Sequence, residues 1–259
     1  MSSLISDLTL SKAFMQRVNN SEMDLFPKAT SLLEGYVHLW KILHPLGTTS
    51  NHLELLSEDE ITRARRMRTV QLHDRFVADH GILRILLGNY LNCEPQNIAF
   101  TTNQYGKPSI LLSDCRLNFN MSHSGELTMI AICLNDEIGL DVEAVRSIPE
   151  WEEIALSHFS SQEIASIRTE PFTEQQNAFF RCWTRKEAFI KAVGMGLALP
   201  LHHFSVSTSL SDNVALLQCD WNLEEITRWS LMHLHPHPGY VGALAINRPS
   251  CSIVDFQWS

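Results

Sequence analysis

The chain predicts a mixed α+β protein. Helical periodicity is concentrated in two long stretches, one starting at Ser57 and one at Ile148, and strand patterning fills much of the remainder. At 259 residues with 44% hydrophobic content, it can bury a large core, as one large domain or two smaller ones.

Residues 1–30 read as the least structured part, an extended stretch. Tyr36 to Leu43, YVHLWKIL, is strand-like. Leu56-Ser57-Glu58-Asp59-Glu60-Ile61 is a helix start: Ser57 can cap, Glu60 can reach back, and Leu56 can staple against Ile61. The helix runs to Leu91 with a break around Thr69-Val70. Phe100 to Pro108 is a short strand and turn, and Leu127 to Leu134 is a buried strand that Asn135-Asp136 turns toward Ile138. Ile148 to Arg168 is helical around Phe159; the Pro171 loop and a further helix through Glu187 follow. Phe204 to Ile246 is mainly strands. Two halves, each with a long helix and a small sheet, meet near Asp136, giving subdomains 1–136 and 137–259. No internal sequence repeat stands out.

Two segments carry chemistry. In Trp183 to Lys191, WTRKEAFIK, Lys186 falls within the apolar stripe of Phe179, Cys182, Phe189 and Val193. Glu187 interrupts the adjoining stripe of Phe180, Trp183 and Ile190, with Lys191 one turn further on. Charge inside an aromatic seam is costly unless compensated. In Ile138 to Glu143, IGLDVE, Ile138, Leu140 and Val142 point one way and Gly139, Asp141 and Glu143 the other. A half-buried strand with idle acids gives the same pattern. The functional reading is a pair of carboxylates about 7 Å apart on one strand face, with Gly139 leaving room for a ligand backbone or phosphate. Glu187 would supply a third carboxylate for a hard cation such as Mg²⁺.

These motifs resemble the 4′-phosphopantetheinyl transferases of the surfactin-synthetase-activating type. The resemblance rests on GLDVE (139–143), WTRKEAFIK (183–191) with GMGL (194–197), YGKP (105–108) and FNMSHSG (119–125), in the family's order and spacing from about Ser57 to Ile246. It implies two similar α+β subdomains related by a pseudo-twofold, with coenzyme A between them. It also implies transfer of the 4′-phosphopantetheine arm of coenzyme A to a serine of an acyl, peptidyl or aryl carrier protein, with release of 3′,5′-ADP. The alternative is a catalytically inactive coenzyme A-binding protein.

By the resemblance, Asp141, Glu143 and Glu187 hold Mg²⁺, or Mn²⁺ in its place. Glu187 is the base for the serine proton, and Lys191 stabilises the departing phosphate. Arg63 and Arg75 hold the 3′-phosphate, Gly106, Lys107 and Pro108 touch the adenine and phosphates, and Ser122, His123, Lys186 and Lys191 contact phosphate. Glu60 departs from the pattern, standing where some relatives carry a basic residue. The arginine run of Arg63, Arg65, Arg66, Arg68, Arg75 and Arg84 is also compatible with a plain solvated face.

The net charge of −9 argues against a general nucleic-acid binder. The six scattered cysteines, without CxxC pairs, read as reduced thiols of a cytoplasmic protein. No apolar run approaches a membrane span, and the N-terminal stretch lacks the pattern of a signal peptide. A monomer is expected. The spacing of His233, His235 and His237 could hold zinc, but Pro236 and Pro238 interrupt the strand. Carrier docking is expected on an apolar surface drawn from Trp151 to Phe159 and the Pro171-Phe172 loop.

Overall fold

The computed structural model describes residues 32–44, 52–210 and 214–258. The expected extended stretch at residues 1–30 lies outside them. The protein is α+β, as the patterning predicts. Its described residues form two compact units, one built from Leu32 and 52–98 and one from 33–44, 99–210 and 214–258. The division therefore falls at Ile98, not near Asp136. The reason is strand pairing. Strand β1 (Tyr36–Leu43) lies parallel to the last strand, β11 (Ser252–Trp258), and antiparallel to β5 (Leu127–Leu134). The early strands thus belong with the C-terminal residues.

The first unit is helical among its described residues. Helix α1 spans Glu58–Arg65 and α2 spans Val70–Leu91, with the predicted break between them. Ser57 and Glu60 form the predicted capping box: the Glu60 amide donates to Ser57 Oγ at 3.3 Å, and the Ser57 amide donates to Glu60 Oε2 at 2.8 Å. Glu60 is buried and also accepts from Arg84 Nε at 2.8 Å. Fully buried Arg84 donates onward to the carbonyls of Pro95 and Ile98, both at 2.9 Å. Arg84 is therefore a core strut, outside any solvated arginine face.

Burial alone would raise the Glu60 carboxyl. Hydrogen bonds from His80, Arg84 and the Ser57 amide outweigh it and bring the carboxyl down to about 2. A depressed acid stabilises the fold above its unfolded value and loses that contribution as pH falls toward its folded value. Glu60→Gln should therefore cost roughly 3 kcal/mol at pH 7, by stranding Arg84. In denaturation series from pH 7 downward, the gap to the parent should begin to close below about pH 4.5. A gap unchanged to pH 3 would contradict this assignment.

The second unit holds two main sheets. The four-stranded sheet has the order β11-β1-β5-β4, with β4 spanning Leu117–Ser124. The three-stranded sheet has the order β6-β10-β9, from Ile138–Ala144, Tyr240–Ile246 and Ser230–Leu234. Two-stranded ribbons, β2 (Phe100–Thr102) with β3 (Pro108–Ile110) and β7 (Phe204–Val206) with β8 (Leu216–Cys219), complete it. Three helices follow β6: α3 (Trp151–His158), α4 (Ser161–Thr169) and α5 (Phe172–Val193). A short α6 spans Glu225–Arg228.

The predicted alternation in β6 holds. Ile138, Leu140 and Val142 enter a core shared with β1, β5, β9 and β10. On the opposite face Gly139 meets α5. A Cβ there would lie 2.0 Å from the Ala188 carbonyl oxygen and 2.3 Å from the Ala192 nitrogen. The space expected to admit a ligand is filled by helix backbone.

The structure also exposes a repeat that the sequence reading missed. Leu56-Ser-Glu-Asp-Glu-Ile61 recurs as Phe159-Ser-Ser-Gln-Glu-Ile164. Ser160 and Glu163 form a second capping box, at the start of α4. Glu163 then meets Lys186 of a 22-residue helix at 2.8 Å, as Glu60 meets Arg84 of another. Each buried cation also holds two carbonyls beyond its helix: Pro95 and Ile98 in one unit, Leu201 and Phe204 in the other.

Candidate active site

The close approach at Gly139 sets the site. It brings the Asp141 face of β6 against α5, whose line of Trp183, Glu187 and Lys191 stays half-buried while most of the helix is buried. These three are spaced i, i+4, i+8, so they share one face. Lys191 turns to the strand. Its Nζ donates to Asp141 Oδ1 at 2.6 Å and to Ser122 Oγ at 3.2 Å. Ser122 Oγ in turn donates to Asp141 Oδ1 at 3.1 Å. Ser124 Oγ donates to Glu143 Oε2 at 2.9 Å.

Asp141 is buried, not an idle surface acid. Its Oδ2 is enclosed and accepts no hydrogen bond. Burial pushes the carboxyl up to about 6; the Lys191 ammonium pulls the other way, and Glu143 and Glu187 add to the rise. Glu187 is raised too, chiefly by burial. Lys191 and His158 oppose that rise and Glu143 adds to it. Asp141, Glu143 and Glu187 therefore lie close enough to repel one another. No three His, Cys, Asp or Glu side chains among the described residues already converge as ligands, and the cation touching Asp141 is the Lys191 ammonium. A buried carboxylate oxygen without a donor, beside two further acids, is a donor set suited to a hard oxygen-seeking cation.

Other expected residues are placed as follows. Lys186 is not part of this constellation. It is fully buried, with its ammonium bonded to Glu163 at 2.8 Å, the Leu201 carbonyl at 2.7 Å and the Phe204 carbonyl at 2.6 Å. Its three donors are used, so none is left for the expected phosphate. Its charge is one of the two that the sequence places in the apolar seam, and Glu163 compensates it.

Lys107 bonds Glu137 at 2.5 Å and the Ala192 carbonyl at 2.7 Å, while Asn103 Nδ2 donates to the Gly194 carbonyl at 2.7 Å. The YGKP turn thus clasps the C-terminal end of α5. Gly106 supplies its positive φ of 89°, and Pro108 starts β3. His123 is exposed, alternating in side with buried Ser122. Arg63 and Arg75 lie in the first unit. The Arg63 guanidinium sits 5.2 Å from the Phe76 ring centroid, and Arg75 Nε donates to Asp79 at 2.9 Å.

The sequence reading missed Asn120, Ser124 and His158. His158 lies beside Trp183, with ring centroids 6.1 Å apart, and its charge acts on Glu187. Period-2 polarity along Asn120, Ser122 and Ser124, in step with IGLDVE, could have revealed the first two. Among the expected docking residues, Phe159 is buried in the core, whereas Leu156 and Phe172 are exposed. His233 and His235 meet at 4.4 Å. Burial first, then the charges of Arg185, His235 and Arg181, hold His233 down to about 4. Two guanidinium groups beside an imidazole disfavour a zinc ion there.

A family model described as the 4′-phosphopantetheinyl transferase superfamily matches residues 137–245. The 4′-phosphopantetheinyl transferase HetI of Nostoc sp. is 34% identical over 226 residues, which cover 85% of this chain and 91% of HetI. Sfp of Bacillus subtilis, another 4′-phosphopantetheinyl transferase, is 31% identical over 175 residues, covering 66% of this chain and 76% of Sfp. A third, gsp of Aneurinibacillus migulanus, is 34% identical over 154 residues, covering 59% and 62%. With residues 137–245 spanning β6, α5 and β10, the chain belongs to the 4′-phosphopantetheinyl transferase superfamily.

Proposed function

We propose that this protein transfers the 4′-phosphopantetheine arm of coenzyme A to a serine hydroxyl of an acyl, peptidyl or aryl carrier protein, releasing 3′,5′-ADP, as a monomeric cytoplasmic enzyme. The observation that carries the reading is the enclosed Asp141 Oδ2, without a donor, beside Glu143, Glu187 and the Lys191 ammonium.

Asp141, Glu143 and Glu187 are the residues that would hold Mg²⁺, or Mn²⁺ in its place. The bound cation would offset the negative charge that builds on the pyrophosphate as it is cleaved. Glu187 sits on the half-buried face of α5, and its raised affinity for a proton suits it to accept one from the serine. Lys191 brings a positive charge to the same face, where it can leave Asp141 and follow the departing phosphate. His123, exposed at the end of β4, is a donor for a phosphate oxygen, and Arg63 and Arg75 recognise the 3′-phosphate. The alternative of an inactive coenzyme A binder is disfavoured, because simple binding does not call for an acid raised in this way next to a second acid and a lysine.

Asp141→Asn tests the metal assignment. It keeps the shape of a buried side chain and removes its charge. Mg²⁺-dependent transfer should fall by at least about 10²-fold, with the melting temperature little changed. Parent-like turnover at low Mg²⁺ would reject the assignment.

Leu156 and Phe172 form the exposed apolar part of the expected docking region. The carriers are acidic and so is this chain, so bulk charge should not drive their association. Carrier affinity should therefore change little between low and physiological salt. A steep loss would point to docking on the arginines of the first unit.

A further inference from the structure

Strands β4 and β6 are end strands of different sheets. An end strand leaves a row of backbone amides without ladder partners. On β6, three alternate amides are met by side chains from β4. Leu140 N–H donates to Asn120 Oδ1 at 2.9 Å, Val142 N–H to Ser122 Oγ at 3.3 Å, and Ala144 N–H to Ser124 Oγ at 3.0 Å. The three acceptors follow at every second residue of β4 and the three donors at every second residue of β6. The match fixes the register, because a slip of one residue would break all three bonds.

The two hydroxyls keep a proton to give, and each gives it to a carboxylate. Ser122 donates to Asp141 Oδ1 and Ser124 to Glu143 Oε2. Asp141 is thereby held with Oδ2 left without a partner, and Ser124 engages only one of the two Glu143 oxygens.

We propose that Asn120, Ser122 and Ser124 are positioning residues. They take the place of a backbone strand beside β6, and the two serine hydroxyls turn Asp141 and Glu143 so that one oxygen of each stays available to a cation. This rests on the metal-dependent reading above. The ladder explains how a strand carrying two mutually repelling acids is held at the meeting of two sheets. It also explains why the small polar residues fall at alternate positions of FNMSHS, with Phe119, Met121 and His123 on the other face of β4.

Ser124→Ala is the test, because Ser124 contacts Glu143 without touching Lys191. Three quantities are measured on the full chain: amide hydrogen exchange at Ala144, Mn²⁺ affinity by electron paramagnetic resonance, and coenzyme A affinity without metal. Amide exchange at Ala144 should accelerate. Mn²⁺ affinity should fall about 10- to 100-fold, as when other groups that orient metal ligands are removed. Metal-free coenzyme A affinity should stay near the parent value. Ser124→Thr, which keeps the hydroxyl, should restore Mn²⁺ affinity. If Ser124→Ala fails to fold, Ser124→Cys serves in its place, being similar in size and a weak hydrogen-bonder. Asp141→Asn separates the two claims. If parent and Asp141→Asn bind Mn²⁺ equally, the metal reading fails. If Asp141→Asn loses Mn²⁺ while Ser124→Ala keeps it within about two-fold of the parent, the positioning role is overturned.

Discussion

Glu187→Gln should lose turnover by about 10²- to 10⁴-fold while coenzyme A binding stays close to normal. The amide keeps the shape of the side chain and loses its charge and basicity. Lys191→Ala should behave differently. Its ammonium touches Asp141 and Ser122, and an ammonium near phosphate helps the bound ground state as well as the leaving group. Both turnover and coenzyme A affinity should therefore fall. Steady-state kinetics with a separate binding measurement distinguishes the two patterns. The structure already weakens one rival account, a Glu187–Lys191 surface pair within α5, because Lys191 reaches across to β6. Matched drops in melting temperature with near-normal rates on the folded fraction would refute the catalytic reading of this helix.

Gly139→Ala should be the most damaging single-methyl change near the site. Its Cβ would meet the Ala188 carbonyl oxygen at 2.0 Å, the Ala192 nitrogen at 2.3 Å and the Ala192 Cα at 2.9 Å. All three are backbone atoms, so no side chain can swing away; the helix or the strand must move. Overpacking commonly costs about 1–3 kcal/mol, and here the upper end or beyond is expected. Lys191 lies one residue before Ala192 on the displaced turn, so its contact with Asp141 should loosen too. Calorimetry together with turnover per folded molecule reads both effects. A variant with an unchanged melting temperature and rate would show that α5 does not depend on this close approach.

The same glycine shows where sequence reading stops. Alternation in IGLDVE correctly separated Ile138, Leu140 and Val142 from Gly139, Asp141 and Glu143, because strand geometry is local. What each face meets depends on pairing far along the chain. The glycine was therefore read as space for a ligand when it is space for α5. Lys186 and Glu187 were both legible as charges in an apolar seam. Only the fold tells them apart: Lys186 is enclosed with Glu163 and two carbonyls, while Glu187 stays half-buried beside the acids of β6. The capping box at Ser57 was legible because its four residues are contiguous. Its counterpart at Ser160, and the shared step from capping glutamate to buried cation, emerge only once bonds spanning 24 and 23 residues are seen. The boundary near Asp136 failed for a similar reason, since β1 pairs with β11 at the opposite end of the chain.

Intact-mass measurement of an apo-carrier protein incubated with this enzyme, coenzyme A and Mg²⁺ tests the central claim most directly. The account predicts a gain of about 340 Da, the mass of a phosphopantetheine arm, on acyl, peptidyl or aryl carriers offered one at a time. The gain should require Mg²⁺ and disappear with Asp141→Asn. Tight coenzyme A binding with no gain on carriers of any of the three kinds would contradict it and leave a binder without transfer activity.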